Sequence, residues 1–387
     1  MNNIGVIGAG TMGIGIAQVA AFSGCEVCLF DSFAQSLESA KGKIEKSLQV
    51  LVSKGKLEES KAKEVLARIT IAKSLSQFSD CELVIEAIIE QKEAKTSAFL
   101  ELEQIVSQSC IIASNTSSLS IASLASVCRN PERFIGIHFF NPAPVMKLVE
   151  IIPAVQTNQH TISETQKIVS GWGKISVLAK DTPGFIVNRV ARPFYGEALR
   201  IYDEGIADFA TIDWAMKTYG GFPMGPFELM DFIGNDINYT VTETVFLSFF
   251  CDPRYTPSFT QKRLMEAGYL GKKSGKGYYD YRTEAIKPLP NEDAELGKLI
   301  YKRILIMLIN EAAEALHYGI ASDQDIDLAM TKGVNYPKGL LQWADEVGIL
   351  EVVNHLDELF ETYHDGRYRC SVLLRKMVHQ DLSFFTP

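Results

Sequence analysis

Cysteine and histidine are scarce in this chain, with seven and six residues among 387. The cysteines run from Cys25 to Cys370, odd in number and irregular in spacing. That excludes a disulfide framework and fits reduced thiols in a cytoplasmic protein. Cys25-Glu-Val-Cys28 spells C-x-x-C, but it lies in an apolar, strand-like run where residues three apart face opposite sides, so neither a metal nor a redox site is expected. Long apolar runs are also missing. Ile304 to Ile309 is far shorter than the ~20 residues that span a bilayer. The structured pattern begins at about Asn3, which leaves no room for a leader segment. Positive charge is in deficit: 38 Lys and Arg face 47 Asp and Glu, a net charge of −9. Nucleic acid and anionic membrane are therefore poor partners, although a small anion held by a local basic patch is still permitted.

What is present is periodic. Asn3 to Gly8 reads as a buried strand, Thr11 to Ser23 as a helix with Ile14, Ile16, Val19, Ala20 and Phe22 as packing positions, and Cys25 to Phe30 as a second strand. This is a β-α-β unit, the connection that parallel strands require. A lysine-rich stretch from Ala34 to Arg68 reads as two helices broken near Gly55. Strands recur at Ile69–Ala72, Leu83–Ile85, Ile111–Ala113, Arg133–His138, Lys147–Ile152 and Ile175–Leu178, with a helix from Lys92 to Val106. Asp181-Thr-Pro-Gly184 marks a domain boundary, and beyond it the pattern is helical. Residues 284–293 read as a second linker.

The helical part repeats itself. Glu197-Ala198 recurs as Glu311-Ala312, Gly205-Ile206 as Gly319-Ile320, and Ile212-Asp213 as Ile326-Asp327. Pro223, Gly225, Asp231 and Gly234 recur as Pro337, Gly339, Asp345 and Gly348, all at one offset of 114 residues. Turn residues that align without a gap argue for two copies of one helical unit. The expected division is residues 1–183, 184–283 and 294–387.

Several residues carry potential chemistry. Gly8-Ala9-Gly10-Thr11-Met12-Gly13 is G-x-G-x-x-G between a strand and a helix, the context of a dinucleotide turn. Asp31 closes the second strand, where a carboxylate accepts hydrogen bonds from ribose hydroxyls and repels a 2′-phosphate. No arginine follows it, so NAD is expected rather than NADP. The alternative is a plain glycine turn. His138 and Glu150 each stand six residues from Pro144. If the chain reverses there, they face each other on antiparallel strands. Such a pair is either a general base with its orienting carboxylate or a structural ion pair. Asn115-Thr-Ser117-Ser118 follows a strand and can contact a ligand there, cap the helix near Ile121, or do both. Asn188, among Phe185, Ile186, Val187 and Val190, is a structural amide or a substrate contact. The lysines of residues 41–63 either meet the phosphates of a bulky anion or form a solvated helix face.

Taken together, these motifs resemble those of the L-3-hydroxyacyl-CoA dehydrogenase family, which includes 3-hydroxybutyryl-CoA dehydrogenases. The resemblance runs from GAGTMG through Val84 to Glu90, Ser114 to Leu119, His138-Phe-Phe-Asn-Pro142 with Glu150, Asp181 to Arg189, Gly225 to Leu229 and Gly271 to Gly277. It implies a Rossmann-like α/β domain, here followed by two tandem all-α domains of the family's C-terminal type. It implies NAD as cofactor, an acyl-CoA substrate, His138 as general base and Glu150 as its orienter. Ser117 and Asn188 then contact the substrate oxygens. Asp31, Glu90, Lys95, Asn115, Asn141 and Lys273 fall where the family contacts NAD, and Ser47 and Lys54 near coenzyme A. Simple family members end near the position of Tyr281 and dimerise through their helical domains, so the second copy is expected to imitate that dimer within one chain, as a monomer or a homodimer. It carries Lys302 where the first carries Asn188, so one active site per chain is expected. A sugar-acid dehydrogenase of the gulonate type and a non-catalytic NAD- or CoA-binding sensor are the rival readings.

Overall fold

A computed structural model describes residues 2–385. The chain divides into two compact units, Met1–Phe185 and Ile186–Pro387.

The first unit is built on eight strands: β1 (Asn3–Ile7), β2 (Glu26–Phe30), β3 (Ile69–Ile71), β4 (Leu83–Glu86), β5 (Ile111–Ser114), β6 (Phe134–Phe139), β7 (Leu148–Pro153) and β8 (Ile175–Leu178). Their order across the sheet is β3-β2-β1-β4-β5-β6-β7-β8. All neighbours are parallel except β6 and β7. Six helices connect or flank the strands: α1 (Thr11–Phe22), α2 (Ala34–Ser53), α3 (Glu59–Ala67), α4 (Lys92–Glu103), α5 (Ile121–Ala125) and α6 (Gln159–Gly171). Central strands read as unbroken apolar runs because parallel sheets are covered on both faces. Ile4, Val6, Leu83, Ile85, Ile135 and Ile137 are accordingly buried in one core with Ile16, Ala17 and Ala20 of α1. In α2 only Ala40, Ile44 and Leu48 are buried, one stripe at four-residue spacing. The order 3-2-1-4-5-6 reverses direction between β1 and β4, and ligands of such sheets bind beyond the carboxyl ends at that point.

The second unit is helical. Its first half comprises α7 (Val187–Val190), α8 (Arg192–Asp203), α9 (Phe209–Gly220), α10 (Pro226–Ile233), α11 (Asn235–Ser248) and α12 (Phe259–Glu266). Its second half comprises α13 (Ala294–His317), α14 (Asp323–Gly333), α15 (Leu340–Val347), α16 (Ile349–Tyr363) and α17 (Val372–Gln380). The 114-residue offset carries α8 onto the end of α13 and α10 onto α15.

The repeated turn residues have a common physical cause. Asp213 accepts the backbone N–H groups of Phe227 and Glu228 at the start of α10. Asp327 accepts those of Leu341 and Gln342 at the start of α15. A Cβ on Gly225 would come within 2.3 Å of Asp213 Oδ1, and one on Gly339 within 2.1 Å of Asp327 Oδ2, so both helix starts demand glycine. Burial pushes the Asp213 carboxyl up to about 7, against the lowering effect of the Tyr279 hydroxyl that it accepts.

The two halves also exchange side chains reciprocally. Arg189 Nε donates to Glu311 Oε1 at 2.6 Å, and Arg303 Nε donates to Glu197 Oε1 at 2.6 Å. Tyr255 Oη donates to Glu311 at 2.6 Å, and Tyr368 Oη to Glu197 at 2.8 Å. Arg189 corresponds to Arg303 and Glu197 to Glu311, so residue i of one half meets residue j of the other and j meets i, the signature of a two-fold interface. Phe222 and its counterpart Tyr336 pack edge to face, with ring centroids 5.0 Å apart.

Candidate active site

The strand-to-helix turn after β1 is shaped by glycine. Gly8 has φ +108°, and a Cβ on it would lie 2.5 Å from the Ala87 carbonyl oxygen. A Cβ on Gly13 would lie 1.8 Å from the Gly8 carbonyl oxygen, so α1 can approach the strand only without one. Gly10 differs: its would-be Cβ meets nothing within 4 Å. That open space lies over the N-terminus of α1, where free N–H groups and the helix dipole favour a phosphate. Asp31, just past β2, accepts the Ala9 N–H at 2.7 Å and the Phe33 N–H at 2.9 Å. The turn and the carboxylate thus sit side by side, as an adenosine diphosphate moiety requires, and these residues fit NAD. Gly10→Ala should leave the melting temperature unchanged and weaken NAD binding about tenfold, ~1.4 kcal/mol. Gly13→Ala should instead destabilise the fold by ~1–3 kcal/mol or more. Thermal melts and NAD titration of the two variants separate these outcomes.

His138 lies on β6 and pairs in register with Glu150 on β7. Its Nδ1 is 2.7 Å from Glu150 Oε2, with both side chains buried. A carboxylate on Nδ1 holds the proton on that nitrogen and leaves the Nε2 lone pair to accept another. The rings of Phe140 and Phe185 flank the imidazole at 4.5 and 5.9 Å. The loop that returns from β6 to β7 is clamped by Lys174, whose ammonium donates to the Ala143 carbonyl at 2.5 Å and the Met146 carbonyl at 2.7 Å. Burial lowers the Lys174 pKa to about 8.

Between these two features stand the ends of β4 and β5. Asn115 Oδ1 accepts the Phe139 N–H at 2.8 Å, tying the end of β5 to the residue after His138. Glu90 Oε1 collects the Thr116 hydroxyl at 2.5 Å and the N–H groups of Ser117 and Ser118 at 2.9 and 3.2 Å. One carboxylate therefore shapes the whole Ser117 loop. Lys95 is fully buried, its ammonium 2.6 Å from Glu86 and 3.2 Å from Glu90. Burial raises the pKa of Glu86 against the pull of Lys95. Burial acts the same way on Glu90, but Lys95 and the 116–117 donors outweigh it and hold that carboxylate below its usual range.

The structure therefore gathers Gly8–Gly13, Asp31, Glu90, Asn115, Ser117 and His138 at the carboxyl ends of neighbouring strands, with Glu150 beside them near the start of the antiparallel β7. Lys95, an expected cofactor contact, is seated between two carboxylates. The structure departs from expectation at one point. The loop at 115–118 is not the cap of α5: Ser120 is, accepting the Ser123 N–H, and Asp181 adds acceptors for Ile121 and Ala122. Asn141 is exposed beyond β6. Ser47 is exposed on α2, flanking its buried stripe, and Lys54 is exposed at the C-cap of that helix. Asn188 and Lys273 belong to the second unit. Asn188 is half-buried on α7, and Lys273 pairs with Asp236 at 2.6 Å. Sequence reasoning missed the buried Glu86, which also accepts the Ser114 hydroxyl at 2.6 Å. A lone carboxylate in an apolar strand, nine residues before a lysine, was the available signal. The C-x-x-C pair holds protonated thiols, with Cys28 pushed up to about 11 by burial. No group of metal-ligating side chains occurs among the described residues.

A glycine-shaped phosphate turn, an acidic residue after the second strand and a buried histidine held by a glutamate define an NAD-dependent dehydrogenase. Comparison with known proteins narrows this. The family model for the 3-hydroxyacyl-CoA dehydrogenase NAD-binding domain matches residues 3–182, and that for the C-terminal domain matches twice, at 184–281 and 299–383. The chain is 36% identical to a 3-hydroxyadipyl-CoA dehydrogenase of Escherichia coli (strain K12), with 97% of each covered. It is 44% identical to a probable 3-hydroxybutyryl-CoA dehydrogenase of Deinococcus radiodurans, covering 72% of this chain and 99% of the relative. The crystal structure of an Escherichia coli 3-hydroxybutyryl-CoA dehydrogenase superposes with a TM-score of 0.92 at 35% identity, over 98% of each chain. The chain belongs to the 3-hydroxyacyl-CoA dehydrogenase family.

Proposed function

We propose that this protein oxidises the 3-hydroxyl of an (S)-3-hydroxyacyl-CoA to a ketone, giving 3-oxoacyl-CoA and NADH. The observation that carries this reading is the buried, in-register pair of His138 and Glu150, in which the carboxylate engages Nδ1. NAD, when bound, supplies the hydride acceptor. His138 Nε2 takes the hydroxyl proton, and Glu150 stabilises the imidazolium that results. A positioned base of this kind contributes ~10²–10⁴-fold. Ser117, held by Glu90, and Asn188 supply polar contacts to the substrate oxygens. The glycine turn and Asp31 hold the adenosine diphosphate moiety. Glu90, Lys95, Asn115, Asn141 and Lys273 are the further cofactor contacts, and Ser47 and Lys54 the coenzyme A contacts.

The sugar-acid reading has less support, since two relatives that cover 97% and 98% of this chain are named for CoA thioesters. Acetoacetyl-CoA with NADH should be reduced at a kcat on the order of 1–10³ s⁻¹, and gulonate with NAD should not react. Turnover of the sugar acid alone would reverse the assignment. The reciprocal exchange between the two helical halves supports a pseudo-dimer within one chain. No helix among the described residues is long and apolar enough to cross a membrane, and the cytoplasm is the proposed compartment.

A further inference from the structure

Asn188 stands on α7, a helix of only four residues. Ala191 separates it from α8, and Pro193 has no N–H to give the Arg189 carbonyl. The corresponding stretch of the second half is uninterrupted: α13 runs from Ala294 to His317, with Met307 where Pro193 stands in the first. The turn that presents Asn188 therefore lacks the continuous helix that supports its counterpart. A single isolated turn is unfavourable by itself, because helix nucleation fixes many torsions for one hydrogen bond.

The support comes from the next residue. The Arg189 side chain is 2% exposed, and its Nε donates to Glu311 Oε1 at 2.6 Å. Glu311 is on α13, in the second copy, and it also receives the Tyr255 hydroxyl at 2.6 Å. The guanidinium lies over the Phe249 ring, 5.1 Å from its centroid. We infer that Glu311 is a positioning residue for the active site: through Arg189 it fixes the orientation of Asn188 toward acyl-CoA, so the second helical copy is a working part of substrate recognition. This rests on the proposed role of Asn188.

The repeat supplies an internal control. Arg303, Glu197 and Tyr368 repeat the arginine–glutamate–tyrosine contacts, with different outer partners: Arg303 also pairs with Glu204 at 3.0 Å, and Glu311 also meets Arg254 at 3.5 Å. The residue before Arg303, however, is Lys302, which pairs with Glu351 at 2.6 Å on the exposed side. One network adjoins Asn188 and its counterpart does not. Glu311→Gln and Glu197→Gln should each lower the melting temperature. Only Glu311→Gln should raise the KM for acetoacetyl-CoA, by about tenfold, with the KM for NADH unchanged. Tyr255→Phe removes the bond to Glu311, and Tyr368→Phe removes the bond to Glu197 and the one accepted from Arg303; they provide the same comparison, with a KM rise of ~2-fold or more for Tyr255→Phe alone, if the glutamine variants fold poorly. Asn188→Ala is measured alongside. A wild-type KM and kcat in that variant would remove the role of Asn188 and the inference with it. An impaired Asn188→Ala with equal KM values in the two members of each pair would overturn the inference alone.

Discussion

His138→Gln is expected to lower kcat by ~10²–10⁴-fold while leaving NAD affinity within about twofold of the wild type. Glutamine has a side chain of similar reach but cannot accept a proton at neutral pH. The loss should therefore fall on the chemical step, and the glycine turn and Asp31 should bind nucleotide as before. Glu150→Gln is the companion. An amide at that position can donate to Nδ1, which favours the tautomer with its proton on Nε2, where the base must be empty. Its kcat should fall by the same order. Steady-state kinetics with acetoacetyl-CoA and NADH, with NAD binding measured separately, checks both. Wild-type turnover in either variant would refute the base assignment.

A chain that stops after residue 283 should not persist as a stable monomer. Truncation removes Glu311 from Arg189 and Arg303 from Glu197, both buried pairs. Losing one partner of such a pair costs ~3–5 kcal/mol. It also uncovers Phe222, which packs on Tyr336 and Trp343, and Phe194, which packs on Tyr336. Set against a typical total stability of ~5–15 kcal/mol, these losses leave little margin. The shortened chain should pair with a second copy through the same face or aggregate. The Deinococcus relative is matched over 99% of its length by 72% of this chain, so a protein of about the truncated length does exist. Light scattering at two concentrations gives the answer. A soluble monomer with the full-length melting temperature would show that the second half is dispensable for folding.

Local signals in the sequence were read correctly where the chemistry is local. The β1-α1-β2 unit follows from apolar runs and glycine placement, and the structure returns it with shifts of about one residue at the ends. Counting outward from Pro144 placed His138 opposite Glu150, and the strands pair them directly. The relations that stayed hidden join residues far apart in the chain. The family resemblance marked Glu90 as an expected cofactor contact, but its grip on Thr116, Ser117 and Ser118 depends on how the ends of β4 and β5 come together. Asp181 read as punctuation, and its service to α5 across some sixty residues has no periodic trace. Both glutamates of the helical halves were visible as a repeat, but nothing in a linear offset says that each receives an arginine of the other copy.

The helix break at Pro193 and its absence at Met307 bear on how such a protein can change over time. In a symmetric homodimer every substitution appears twice, once on each side of the axis. With Asn188 in its proposed role, a lysine in its place would then strike both active sites of such a dimer together. Two halves in one polypeptide are free of that constraint. The first half here has the interrupted helix and Asn188, and the second the continuous helix and Lys302. On the proposed function, the mismatch between the copies is a division of labour open to a fused pair and closed to a homodimer.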